Sequence, residues 1–256
     1  MSGAFKASSK PDIVVRPLVE IDEMRAAMDL QRRIWGYSES DIVPDQMFVV
    51  ARESGGQVLA AFDGDSPIGF ALAFAAFHDG KPYLHSHMVG VLPKFQNRGV
   101  GRLLKLAQRD NALARGINLI EWTFDPLQLK NAHFNLSKLG VIVRRYIPNL
   151  YGRTSSPLHA GLPTDRLVAE WWLTSPQALN ALNGKPPIFS KNCTRISIPS
   201  EIRQICLEEP GRAEAIQLNV RREFTGEIAA GRAAFGFEFA AQQGSYILEP
   251  YEDRVD

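Results

Sequence analysis

The residues best suited to chemistry lie between Val89 and Arg102: Val-Gly-Val-Leu-Pro-Lys-Phe-Gln-Asn-Arg-Gly-Val-Gly-Arg. The pattern predicts an apolar strand ending at Pro93, a short polar turn, and an amphipathic helix from near Val100. Gly99 and Gly101 have no Cβ, so a ligand can come close to the backbone there. The N–H groups that start a helix, with the positive end of its dipole, suit a phosphate. Arg98 and Arg102 add charge and forked donors. Such a strand–turn–helix can hold a pyrophosphate. It is not a Walker loop, since no Gly-Lys-Ser/Thr follows. Nor is it the dinucleotide Gly-x-Gly-x-x-Gly, whose third glycine would fall at Leu104. A plain strand–helix connection is the competing reading.

The elements that must position this loop follow from periodicity and turn residues. Residues 13–18 read as a strand. Residues 20–35 read as a helix with Met24, Met28, Leu30 and Ile34 at helical spacing, stopped by Gly36. A second helix spans 44–52. Strands at 58–62 and 68–77 flank an Asp63-Gly64 turn. In the latter strand, Ile68, Phe70, Leu72 and Phe74 alternate with glycine and alanine, the mark of a strand buried on both faces. Past Asp79-Gly80, the strand at 83–92 feeds the loop, and the helix after it runs to Arg115 with Gly116 as its cap. Then come a strand (117–124), a helix (129–139), a strand (141–147), a loop rich in Gly, Pro and Ser (148–164) and a strand (167–173). Beyond these, the pattern predicts a short helix at 176–183, a strand at 195–199, a long helix from Glu208 to Gly231, and strands around 235–239 and 246–248.

The string Gln96-Asn97-Arg98-Gly99-Val100-Gly101, a Gln-x-x-Gly-x-Gly after a Val-x-Pro strand end, resembles the coenzyme A pyrophosphate loop of the GNAT N-acetyltransferase superfamily. The order β-α-α-β-β-β-α-β-α-β-β is similar to the fold of that family. The strings at 121–127 (Glu-Trp-Thr-Phe-Asp-Pro-Leu), 131–135 (Asn-Ala-His-Phe-Asn) and 163–166 (Pro-Thr-Asp-Arg) look like a little-characterised branch with a C-terminal extension. The resemblance covers about 12–174. It implies an α/β fold of α+β type, the GNAT fold, with a mixed twisted sheet and flanking helices. Residues 1–11 would be a flexible tail, 12–174 the acyltransferase core, and 175–256 a small αβ extension packed on the core. The implied activity is transfer of an acyl group, most simply acetyl from acetyl-CoA, to an amine of a small molecule or protein, without a metal. The backbone of Val89, Gly90 and Val91 would hold the pantetheine and thioester carbonyl. The N–H groups of Gln96, Asn97, Arg98, Gly99, Val100, Gly101 and Arg102 would hold the pyrophosphate. Asn131, Phe134 and Lys138, at i, i+3 and i+7, would border the pantetheine and adenosine.

The acid and base are less defined. Family bases often sit on the loop strand or its neighbour. Here the loop strand offers His85 and His87, on one face by period two, and the next strand offers Glu121 and Asp125. His87 and Asp125 are the candidates, histidine having the right unperturbed pKa. Asp125-Pro126 also reads as a turn that caps the next helix. The family's leaving-group tyrosine aligns with Leu136, which cannot donate a proton. Asn135, Ser137, Tyr146 and Tyr151 are the available substitutes, and Tyr151 lies on a loop expected to border the cleft. Asp165-Arg166 reads as a local ion pair or as a site for an acceptor carboxylate.

Composition bounds these readings. The 256 residues are 45% hydrophobic and 22% charged, with 29 basic against 28 acidic side chains, so no basic field points to nucleic acid. No apolar run is long enough to span a membrane. Cys193 and Cys206 form no disulfide framework or zinc pattern and suit a reducing, cytoplasmic setting. The expected partners are acyl-CoA and an acceptor, with a homodimer allowed. A non-catalytic acyl-CoA-binding module is the alternative, on the strength of Leu136, and a nucleotide-binding protein is third.

Overall fold

The computed structural model describes residues 13–78, 80–152 and 161–251. The expected tail at 1–11, Asp79 of the second hairpin turn, 153–160 of the expected loop and 252–256 of the expected extension lie outside them. The chain divides into two compact units, one ending at Gly116 and one starting at Ile117.

The first unit contains β1 (Ile13–Pro17), α1 (Ile21–Trp35), α2 (Asp45–Glu53), β2 (Gln57–Asp63), β3 (Ser66–His78), β4 (Lys81–Val91) and α3 (Val100–Ala114). The four strands pair antiparallel in chain order. The alternation of large and small residues in β3 sorts the helices. Phe70 meets Trp35 of α1 and Phe48 of α2, with ring centroids 5.7 and 5.9 Å apart. The neighbouring Gly69 lies under α3, where a Cβ would stand 3.4 Å from Leu104. So α1 and α2 cover one face and α3 the other, and each buried Leu or Phe contributes about 1.5–3 kcal/mol. Gly90 of β4 is required by the first face: a Cβ there would come within 2.8 Å of the Trp35 ring.

β4 carries one residue too many. Leu72 faces Met88 while Ala73 faces Ser86, so His87 is the extra residue of a β-bulge. Before the bulge, Leu84 and Ser86 point to α3; after it, Val89 and Val91 take that side and Gly90 turns to α1. Ser86 is buried, accepting from Lys105 Nζ (2.8 Å) and donating to Gln108 Oε1 (3.1 Å). Gln57 Nε2 completes this layer by donating to Gln108 O and Asn111 Oδ1, both at 2.9 Å.

The second unit contains β5 (Leu119–Phe124), α4 (Leu129–His133), β6 (Ile142–Ile147), β7 (Arg166–Trp172), α5 (Pro176–Leu182), β8 (Thr194–Pro199), α6 (Ile202–Glu208), α7 (Pro210–Ala229), β9 (Arg232–Phe239) and β10 (Gln243–Pro250). Its strands run β5-β7-β6-β9-β10-β8, each pair antiparallel. The strands past residue 175 therefore extend the sheet of this unit edge to edge, through Val143 of β6 opposite Ala234 of β9. Two features depart from the sequence reading. The helix expected at 129–139 is α-helical only to His133 and continues as a π-helix over Phe134–Leu139. A separate helix, α6, precedes the long one; its signal was Ile202 and Ile205, both buried at i, i+3.

His85 gives this fold a pH dependence. Burial first, then the charges of His87 and Lys105, push its imidazole down to about 4. Above pH 6.5 neither the folded nor the unfolded chain holds that proton, and stability is full. Between 6.5 and about 4 only the unfolded chain takes it up, so stability falls as pH falls, by about 3 kcal/mol in all. Urea unfolding of His85→Leu against wild type at pH 7, 6, 5 and 4 should show this acid loss reduced in the variant.

Candidate active site

The turn after β4 has the shape an anion needs. Leu92 to Gln96 is a tight 3₁₀ turn, with Gln96 N–H donating to Pro93 O at 3.2 Å. The Gln96 side chain reaches back, Nε2 donating to Val91 O at 3.0 Å, so it braces the turn against β4. Asn97 and Gly99 then take left-handed backbone at φ of 59° and 84°, a conformation that glycine adopts without strain. Gly99 is the N-cap of α3, and Leu103 N–H donating to Gly99 O is the first bond of the helix. The N–H groups of Val100, Gly101 and Arg102 thus belong to the turn that has no acceptor within its own helix. A Cβ built on Gly99 or Gly101 meets nothing within 4 Å, so both stand beside open space. Lys94 and Arg98 lie over the Phe95 ring, at 4.9 and 5.6 Å, and no acidic residue occupies the first turn of α3. Bare backbone, dipole and cations converge here, and a pyrophosphate fits them.

On β4 itself, Val89 and Val91 are half-buried against the core and Gly90 is buried. The bulge sets His87 on the face of His85 and Phe74, with ring centroids 6.1 and 5.6 Å away. His87 keeps an edge in solvent. The loss of water around the rest of its ring lowers its pKa below the ordinary imidazole value, so it is neutral and able to accept a proton at pH 7.

The remaining candidates belong to the second unit. Asp125 ends β5, and its Oδ1 accepts from Leu127 N–H at 2.8 Å, the turn expected from Asp-Pro. Burial raises its pKa; the Leu127 N–H and the charge of Arg166 oppose that, and the charge of Asp165 adds to it. Tyr246 Oη holds the same turn by donating to Pro126 O at 2.7 Å. Tyr151 is 49% exposed, with its hydroxyl 3.1 Å from Thr123 Oγ1 and its ring 5.4 Å from the Arg166 guanidinium. Of the substitutes for the absent tyrosine, Asn135 is buried, Ser137 donates to Phe237 O at 2.8 Å, and Tyr146 donates to Asp165 at 2.5 Å. Burial, then that bond, drives the Tyr146 pKa far up. Tyr151 alone of the four presents its polar group at the surface.

Asn131 and Lys138 are exposed and Phe134 is half-buried. The π-helix widens the turn between Phe134 and Lys138, which takes Lys138 off the face of Asn131 that uniform α spacing gave it. Leu136 is 2% exposed, a core residue. Asp165 does not pair with Arg166. It is gripped by Arg221 of α7, Nε to Oδ2 at 2.8 Å and Nη2 to Oδ1 at 2.7 Å, a partner that local reading did not reach. Thr123 was also missed; only its place on β5 two residues before Asp125 could have pointed to it. No group of three or more His, Cys, Asp or Glu able to hold a metal occurs among the described residues, and no described helix is long and apolar enough to cross a membrane.

Comparison with known proteins bears on this geometry. Residues 24–140 match the acetyltransferase (GNAT) family. No curated protein sequence matches the chain. Among solved structures, a GNAT-family protein of Desulfovibrio desulfuricans superposes with a TM-score of 0.51 at 14% identity, covering 63% of this chain and 99% of that one. The NatC complex bound to Gag peptide and CoA gives 0.51 at 15% identity over 63% and 99%. The ribosomal-protein-S18-alanine N-acetyltransferase from Escherichia coli gives 0.50 at 15% identity over 70% and 97%. These likenesses are of fold, and the sheets with flanking helices described above are that fold. Over residues 24–140 the chain is thus similar to the GNAT acetyltransferase family.

Proposed function

We propose that the chain is an acyl-CoA-dependent N-acyltransferase, with acetyl-CoA as donor and an amine of a small molecule or a protein as acceptor. The observation that carries this is the open, glycine-lined start of α3 at Gly99 and Gly101, inside the family match. The N–H groups of 96–102 hold the pyrophosphate, and the backbone of Val89, Gly90 and Val91 holds the pantetheine and polarises the thioester carbonyl. In the second unit, Asn131 and Phe134 are assigned to the pantetheine arm and Lys138 to a phosphate.

The chemistry is direct attack. The acceptor nitrogen forms a bond to the thioester carbon, its proton passes to a base, the C–S bond breaks, and the thiolate takes a proton on leaving. His87 is the better base. It is neutral, half in solvent and on the bulge, whereas the Asp125 carboxylate already accepts the Leu127 N–H. Tyr151 is assigned as the proton donor to the thiolate. A buried Leu136 favours one second reading, an acyl-CoA-binding module without turnover.

Three measurements separate these readings. Calorimetric titration with acetyl-CoA should show binding by wild type and loss of it in folded Gly99→Glu, which puts a carboxylate where phosphate sits. His87→Gln should lower kcat/KM by about 10²–10³. Because its pKa lies below the ordinary imidazole value, the acid limb of the wild-type pH profile should break below pH 6.5, and the variant should lose that limb. Tyr151→Phe should lower kcat by about tenfold with KM for acetyl-CoA unchanged. Tight acetyl-CoA binding with no transfer to any amine would establish the binding module instead.

A further inference from the structure

Helix α7 places polar groups where it packs against its own unit. Gln217, 2% exposed, lies on the buried stripe formed with Ala213, Val220 and Phe224, and donates through Nε2 to Pro163 O at 2.9 Å. One turn on, Arg221 grips Asp165 with two bonds. Both targets lie just before β7, and Asp165 passes the hold across to the end of β6. Its Oδ1 accepts from Asn149 N–H at 3.0 Å and its Oδ2 from Tyr146 Oη at 2.5 Å. Between Pro163 and Asp165, Thr164 Oγ1 accepts from Tyr151 N–H at 2.9 Å and donates to Gly152 O at 3.0 Å. Thr164 N–H and C=O close the knot with Asn149 Oδ1 and Leu150 N–H. Residues 149–152 and 163–165 are thus tied to one another and, by two side chains, to α7. What they present is Tyr151, above Thr123 and beside Arg166.

A buried aspartate paired with a half-buried arginine, and a buried glutamine whose Oε1 has no partner among the described residues, are poor ways to gain stability alone. They are good ways to fix geometry. We propose that α7 positions the acyl acceptor: Arg221 and Gln217 are positioning residues that lock residues 149–152 against 163–165, so that Tyr151, Thr123 and Arg166 form one face for the acceptor. This rests on the acyltransferase reading. It gives the C-terminal segment a part in the reaction without contact with the reacting atoms.

The test places 3-fluorotyrosine at position 151 of the full chain and follows its fluorine resonance, with hydrogen exchange of 149–152 and 163–165 measured in parallel. Wild type should give one narrow line and slow exchange. Arg221→Met and Gln217→Met should broaden or split the line and speed exchange about tenfold. Arg212→Met, which removes the exposed pair with Glu209, the residue just before the helix, should change neither. With a pool of tetrapeptides bearing free α-amino groups, the two variants should raise KM for peptide about tenfold and leave KM for acetyl-CoA as it is. Unchanged line and exchange in folded variants overturn the lock; if Arg221→Met does not fold, Gln217→Met decides. Should wild type transfer acetyl to no amine, the acyltransferase reading fails by itself, and the fluorine line still decides whether the lock exists.

Discussion

A carboxylate taken wholly out of water must find a donor for each oxygen or cost several kcal/mol. Asp165 is such a carboxylate, with a fully buried side chain. Four donors meet it: Asn149 N–H and Arg221 Nη2 on one oxygen, Tyr146 Oη and Arg221 Nε on the other. They come from the end of β6, the turn after it and α7. No one of these segments can move without exposing the charge to an unmatched neighbour. The same logic recurs at two further points of the second unit. Tyr246 of β10 satisfies Pro126 O beside Asp125, and the carbonyl of Phe237 in β9 accepts from Ser137 in the π-helix. Every candidate site element of this unit is held by a residue beyond 175. The late segments are part of the scaffold, since removing them would take Arg221 from Asp165 and Tyr246 from Pro126 O.

In the first unit the constraint is one of phase. A strand puts alternate residues on opposite faces. β4 must give α3 a polar contact at Ser86 and then apolar ones at Val89 and Val91, a change of parity that an unbroken strand cannot supply. The bulge at His87 makes that change. It also leaves His87 without a cross-strand partner of its own and lets its ring stand out toward solvent beside Phe74. The exposed imidazole and the turn of Gly90 toward Trp35 both follow from this single inserted residue.

Much of this was legible in the chain. The turn at 96–102 and the strand and helix around it could be read because glycine, proline and charge act locally, and the alternation in β3 announced its two covered faces. The bulge could not be read, because period two places His85 and His87 on one face whether or not a residue is inserted between their partners. The π-helix was hidden for a similar reason: apolar residues at 129, 132, 136 and 139 fit α spacing, and the wider turn is set by tertiary partners such as Trp171 Nε1 on Leu139 O. Asp165-Arg166 read as a local pair or as a site for an acceptor carboxylate, whereas Asp165 is held by Arg221, 56 residues away. Sequence proximity is a poor guide for a buried ion, whose partner is chosen by packing. The extent of α7 was visible, but Gln217 and Arg221, polar residues on a helix that packs against its own unit, were passed over.

Leu136 changes what the proposed acyl transfer must draw on. A thiolate is a tolerable leaving group, since thiol pKa values lie near 8.5, only about two orders of magnitude from neutrality. Protonating it on departure is therefore worth little. Removing the proton from the attacking amine and holding nitrogen and carbonyl in line is worth far more, because alignment alone can supply about 7–11 kcal/mol. A core leucine in place of that donor, with Tyr151 proposed to stand in for it, touches only the smaller term. What the proposed transfer cannot give up is order at the acceptor side. On the proposed reading that side carries a doubly bonded arginine, a buried aspartate and a knot of bonds around Thr164.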